Sequence, residues 1–215
     1  MLPGPWFWIV AGINGSGKST LAASATTLRS LLLLPDSKDL PSSIPWLDPD
    51  RVARELMASD RGIEPWAANA RAILLTEDRV DQLIEDRQPF VVETVLSTDK
   101  YHARVKKAQA LGFRAGMIYI ALSSVDLAVL RVRDRVASGG HDVPEAKIRA
   151  RWGRSLDDLT LFAGVVDRLL VFCNDRPLGP PQLIAVKDER GVSIVNDLAL
   201  PEVTIRLRPA QGGAQ

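Results

Sequence analysis

The chain has 215 residues, 46% of them hydrophobic and 25% charged, the composition of a soluble protein with an ordinary core. Lys plus Arg is 27 against 26 for Asp plus Glu, a formal net charge of +1, which argues against a nucleic-acid coat or a polybasic membrane binder. One cysteine, Cys173, excludes an internal disulfide framework and a cysteine-based zinc cluster, and it fits a reducing cytosol. The apolar run Trp6–Ala11 is too short to span a bilayer and no basic segment precedes it, so a cytoplasmic protein is expected.

In chain order, Phe7–Ala11 reads as a buried strand bounded by Pro5 and Gly12. A helix is expected from Ser19 to about Leu34, stopped by Pro35, and residues 35–45 read as a proline-rich loop. Trp46-Leu47 is a short strand, and Asp48 caps a helix with Pro49 at its first position. Pro65 to about Arg87 is a long amphipathic helix and Phe90–Glu93 a second buried strand. A helix over about Thr98–Leu111 closes at Gly112, and Arg114–Leu122 is a third strand. Ser124 to about Val136 is helical, Gly139-Gly140 forms a flexible corner, and Pro144 restarts a helix to about Phe162. Leu169–Cys173 is a fourth strand, and Leu183–Val186 with Val192–Val195 read as a hairpin lying on the domain. Strands alternating with helices imply an α/β fold with a parallel central sheet, which binds ligands at the carboxyl ends of its strands.

Four stretches at those strand ends carry chemistry. Gly12-Ile-Asn-Gly-Ser-Gly-Lys18-Ser19-Thr20 matches G-x-x-x-x-G-K-[ST] between a strand and a helix, the arrangement in which inward N–H groups cradle phosphate oxygens. Gly12, Asn14, Gly15, Ser16, Gly17, Lys18, Ser19 and Thr20 are therefore nucleotide-binding candidates. Lys18 faces the β- and γ-phosphates, and the Ser19 hydroxyl ligates Mg²⁺. In Trp46-Leu-Asp48-Pro-Asp50, capping accounts for Asp48 but only partly for Asp50, a candidate base for an acceptor hydroxyl. Glu93, ending an apolar strand before Thr94, reads as a residue that holds the metal's water shell or binds substrate. Six arginines fall within residues 131–154: Arg131, Arg133, Arg135, Arg149, Arg151 and Arg154. Arg131 and Arg135 share a helical face ahead of the glycine corner, as in a mobile lid that closes on a phosphoryl group; the alternative is surface ion pairing with Asp134, Asp157 and Asp158.

Together Gly12–Thr20, Leu47–Asp50, Glu93–Ser97, Arg135–Pro144 and Arg151–Leu156 resemble the zeta-toxin-like P-loop kinases over about residues 7–175. The resemblance implies a three-layer P-loop kinase domain over 1–178 with a helical lid at about 131–156. Residues 179–215 would then be a C-terminal hairpin extension with a flexible tail. It implies an ATP- and Mg²⁺-dependent phosphotransferase acting on a small-molecule hydroxyl, such as that of UDP-N-acetylglucosamine. The alternatives are another nucleotide or metabolite as acceptor, or a nucleotide-driven ATPase switch. By the same resemblance Asp50 is the acceptor base and Lys18, Arg131 and Arg135 are catalytic. Arg151 and Arg154 join the nucleotide-binding set, while Asp48, Glu93, Thr94 and His141 lie on the substrate side. An antitoxin is the protein partner that the resemblance suggests, with no nucleic acid and no membrane.

Overall fold

The structure, a computed structural model, describes residues 4–23, 44–176 and 179–208. The described residues form seven strands and seven helices. The strands are β1 (Trp6–Ala11), β2 (Trp46–Leu47), β3 (Phe90–Thr94), β4 (Arg114–Ala121), β5 (Arg168–Cys173), β6 (Gln182–Asp188) and β7 (Gly191–Ile194). The helices are α1 (Lys18–Ala23), α2 (Pro49–Ser59), α3 (Pro65–Glu85), α4 (Lys100–Ala110), α5 (Val125–Ala137), α6 (Glu145–Val165) and α7 (Pro201–Leu207). The helix expected over 19–34 is described only as far as Ala23; its remainder and the loop before position 44 lie outside the described residues.

One sheet holds all seven strands in the order β2-β3-β1-β4-β5-β6-β7. β2 through β5 run parallel, with β1 between β3 and β4. Every parallel neighbour is reached through a crossover, so α3, α4 and α6 are carried onto the sheet. The result is the α/β architecture with a parallel central sheet expected from the sequence.

Strand alternation divides the core. Phe7, Ile9 and Ala11 of β1 pack with Val80 and Leu83 of α3, Val105 of α4, and Leu159 and Phe162 of α6. Trp8 and Val10 face the other way, with Val91, Ile118, Ile120 and Phe172. Trp8 lies opposite Gly116 in the β1–β4 register, and a Cβ on Gly116 would sit 2.4 Å from the indole ring. Glycine is required there because the ring occupies the place of a side chain.

The C-terminal hairpin does not lie on the domain as the sequence reading had it. β6 pairs antiparallel with β5 and continues the sheet. α7, which the sequence reading missed, then packs against α6, burying Leu200, Val203 and Leu207 in the main core. The signal was present: Pro201 at the first helical position and apolar residues at the spacing 200, 203, 207. Among the described residues no helix is long and apolar enough to cross a membrane.

Candidate functional site

The loop between β1 and α1 lies at the carboxyl end of the sheet, where the parallel strands β3, β4 and β5 also end. Its shape depends on close backbone packing. Gly17 has φ +96°, and a Cβ there would sit 2.4 Å from Nδ2 of Asn174, the residue just after β5. That amide donates to the carbonyl of Ser16 at 2.8 Å, while Ser16 N donates to Ile13 O at 3.1 Å. Asn174 thus braces the phosphate-type loop from the far strand. Nothing in the local sequence marks it, because its partner lies 158 positions away.

Lys18 is buried, and its Nζ donates to the carbonyls of Gly12 at 2.7 Å and Ile13 at 3.1 Å. Burial lowers its pKa; the charges of Glu93, Asp50 and Asp48 oppose that and Arg135 adds to it. Glu93, at the end of β3, is buried and held above the usual carboxylate range by burial, countered by Lys18 and reinforced by Asp48 and Asp50. The Ser19 hydroxyl donates to Glu93 Oε1 at 3.3 Å. Ser16 Oγ is buried with no hydrogen-bond partner among the described residues.

Asp48 is the N-cap of α2: its Oδ1 accepts from Asp50 N at 2.9 Å, and Pro49 occupies the first position. Asp50 in the first turn is exposed, with no side-chain hydrogen bond among the described residues, and its charge reaches both Lys18 and Arg151. Arg151 on α6 crosses back to the loop, Nη1 donating to Asn14 Oδ1 at 3.0 Å. Its pKa is lowered by burial, an effect Asp50 opposes and Arg154 reinforces.

The arginine cluster divides in a way the sequence did not show. Arg133 pairs with Glu145 at 2.6 Å, and Arg149 pairs with Glu145 at 2.8 Å and Asp126 at 2.7 Å, on the exposed outer side of α5 and α6. The partners are thus Glu145 and Asp126 rather than the three aspartates considered from sequence; Asp157 instead pairs with Arg206 on α7. Arg131 and Arg135 also part company. Arg131 Nη2 donates to the carbonyl of Asp175 at 3.2 Å, beyond the end of β5. Arg135 acts on Lys18, and its Nε and Nη2 are buried without a hydrogen-bond partner among the described residues. Arg154 is exposed and its Nε donates to the carbonyl of Ala150. His141 is half-buried, and its ring makes no hydrogen bond among the described residues. The glycine corner is a helix cap: Gly140 N donates to Arg135 O and Gly139 N to Val136 O, both at 2.9 Å. Thr94 Oγ1 accepts from Leu96 N at 3.1 Å, and Leu96 is a buried residue with φ +55°.

The zeta toxin family model matches residues 3–172, which include the Gly12–Thr20 loop, Asp50, Glu93 and Arg151 and end just before Asn174. The chain belongs to the zeta toxin family. An uncharacterised protein of Haemophilus influenzae is 28% identical over 141 residues, 66% of this chain and 88% of that protein. Among solved structures, the AvrRxo1-ORF1:-ORF2 complex with ATP aligns with a TM-score of 0.71 at 14% identity over 97% of this chain and 66% of that one. The PezAT toxin-antitoxin system of Streptococcus pneumoniae aligns with a TM-score of 0.61 at 15% identity, over 97% of this chain and 81% of that one. These likenesses show a shared fold.

Two hard oxygen donors, the Ser19 hydroxyl and the Glu93 carboxylate, stand 3.3 Å apart beside Lys18, and this donor set suits Mg²⁺. Among the described residues no group of three or more His, Cys, Asp or Glu side chains could hold a metal alone.

Proposed function

We propose that this zeta-toxin family member is an ATP-dependent kinase that transfers the γ-phosphoryl group to a hydroxyl of a small cytoplasmic molecule. The observation that carries the reading is the convergence on Lys18: the charges of Glu93, Asp50, Asp48 and Arg135 all act on one buried ammonium at the mouth of a G-x-x-x-x-G-K-[ST] loop. The neighbour bound to ATP supports ATP as the donor.

In this reading Lys18 releases the carbonyls of Gly12 and Ile13 and turns to the β- and γ-phosphate oxygens. Ser19, with Glu93 behind it, would hold Mg²⁺, which supplies charge neutralisation on the phosphate oxygens when bound. Asp50, exposed and bearing no competing side-chain hydrogen bond among the described residues, accepts the acceptor hydroxyl's proton as the new O–P bond forms and the bond from the γ-phosphorus to the departing ADP breaks. Arg151 and Arg135 place guanidinium groups on the transferring phosphoryl from two sides, while Arg131, Arg154 and His141 line the approach. Asp48 fixes the turn that presents Asp50, and Thr94 shapes the loop after Glu93.

For the acceptor we propose a nucleotide-sugar hydroxyl, UDP-N-acetylglucosamine being the first to test because the family match covers the Gly12–Thr20 loop, Asp50 and Glu93. A protein antitoxin is proposed as a partner on the strength of the toxin-antitoxin neighbour. The test is incubation with γ-labelled ATP, Mg²⁺ and UDP-N-acetylglucosamine, in parallel with a metabolite extract, followed by identification of the labelled product. Label in the sugar nucleotide supports the acceptor, label in another metabolite replaces it, and label only in free phosphate favours an ATPase. Lys18→Ala should abolish transfer in every arm, and turnover unchanged in that variant would overturn the P-loop reading.

A further inference from the structure

Arg151 and Ser155 are one helical turn apart on α6 and project from the same face. Arg151 reaches the phosphate-type loop through Asn14. Ser155, almost fully buried, reaches a different segment: its Oγ donates to the carbonyl of Val95 at 2.8 Å. Tyr119 OH lies 2.9 Å from the same Oγ. Serine has one hydroxyl hydrogen, and it is committed to Val95, so Tyr119 is the donor in that pair. The chain of bonds therefore runs from Tyr119 in the central strand β4, through Ser155 on α6, to the loop that follows Glu93 and Thr94.

That loop is held in an uncommon shape. Leu96 is a buried leucine in the left-handed region, an unfavourable conformation that survives only where surroundings over-determine it. Two bonds do so here: Thr94 Oγ1 takes Leu96 N, and Ser155 takes Val95 O. One of them comes from the helix that carries Arg151.

We propose that Ser155 is a positioning residue that couples the two halves of the site. When a nucleotide phosphate draws Arg151 away from Asn14, the shift of α6 passes through the Ser155–Val95 bond to the loop beyond Glu93, the acceptor side. Tyr119 sets the direction in which Ser155 donates. The proposal rests on reading the Gly12–Thr20 loop as the nucleotide site; Tyr119 lies outside the sequence motifs, and Ser155 lies within the Arg151–Leu156 stretch but carries no role there.

The test is amide hydrogen exchange of the full chain, with and without the Mg²⁺ complex of a non-hydrolysable ATP analogue, and it needs no acceptor. In the parent protein the analogue should slow exchange at residues 12–19. It should also change exchange at Leu96 and Ser97 by about fivefold or more, the low end of ordinary coupling between sites. Ser155→Ala should keep the first effect and lose the second. Tyr119→Phe should diminish the second, and it decides the matter if Ser155→Ala does not fold: an undiminished change at Leu96 and Ser97 overturns the coupling. A purely packing role for Ser155 predicts faster exchange in both states with the nucleotide-dependent difference intact, and that result also overturns it. Slowing at residues 12–19 with no change at Leu96 and Ser97 in the parent protein overturns the coupling alone. No slowing at residues 12–19 overturns the nucleotide reading and the coupling together.

Discussion

The carboxyl end of the parallel strands and the antiparallel β6–β7–α7 edge belong to one sheet but follow opposite rules. At the edge, Leu200, Val203 and Leu207 fill the core while Lys187 Nζ donates to the carbonyl of Ala163 at 2.6 Å. At the strand ends, a lysine and a glutamate are buried against their charge preferences, Ser16 Oγ and two Arg135 nitrogens lack partners among the described residues, and Leu96 holds a left-handed turn. The edge supplies stability that the site consumes in placing charge. If so, substitutions at the edge should lower stability and not turnover, and substitutions at the site should lower turnover without lowering stability.

After the loss of transfer expected of Lys18→Ala, the largest effect is at Asp50. Asp50→Asn keeps the shape and the α2 cap, so ATP binding should persist while turnover falls by about 10²–10⁴-fold, the range for loss of a general base. Steady-state kinetics with a direct nucleotide-binding measurement checks it; turnover within a few-fold of the parent would reduce Asp50 to a helix-start residue.

Next come the arginines, which sharpen the comparison within the 131–154 cluster itself. Arg135→Lys and Arg151→Lys keep charge but lose the planar fork, so kcat should fall by about 10–10²-fold, one charge-assisted hydrogen bond converted to rate, with ATP affinity little changed. Arg133→Lys and Arg149→Lys, on the exposed outer side, should leave kcat at the parent value. Four equal kcat values would erase the division.

At the edge, Leu207→Ala should lower unfolding free energy by about 2–5 kcal/mol in urea titration, with kcat unchanged at temperatures where the variant is folded. A fall in kcat would show that α7 reaches the site through α6.

The smallest effect is also the most direct test of consumed stability. Burial raises the Glu93 pKa, so the folded state favours its protonated form; ionised Glu93 therefore costs stability as pH rises through the raised value. Glu93→Gln should match the parent near pH 4 and become the more stable of the two as pH climbs above the ordinary glutamate range, while losing turnover. Thermal melts across pH 4–8 without nucleotide check this; a variant less stable than the parent at pH 8 would mean that Lys18 outweighs burial.

What the sequence shows and what it hides follow from the range of each interaction. The glycine-rich loop, the Asp48-Pro49 cap and the strand runs are contiguous signals, and each is found where local chemistry puts it. Asn174 bracing Ser16 and Ser155 holding Val95 are pairings between residues 158 and 60 positions apart, and only the crossovers of a parallel sheet bring them together. The six clustered arginines were legible as a group, but not their division, because helical periodicity does not say which neighbour faces which side. α7 was missed for a different reason: one short helix after a hairpin offers few turns over which a period can show.

The stacking of Trp8 on Gly116 has a consequence for the descent of this chain. With 2.4 Å between the indole and a would-be Cβ, neither position can change first without harm: a larger residue at 116 meets the ring, and a smaller residue at 8 leaves a void. Homologues should therefore carry either both residues or neither, joined by intermediates in which a third residue has shifted to make room. The pair would thus act as a lineage marker inside the sheet, independent of the chemistry at its far end.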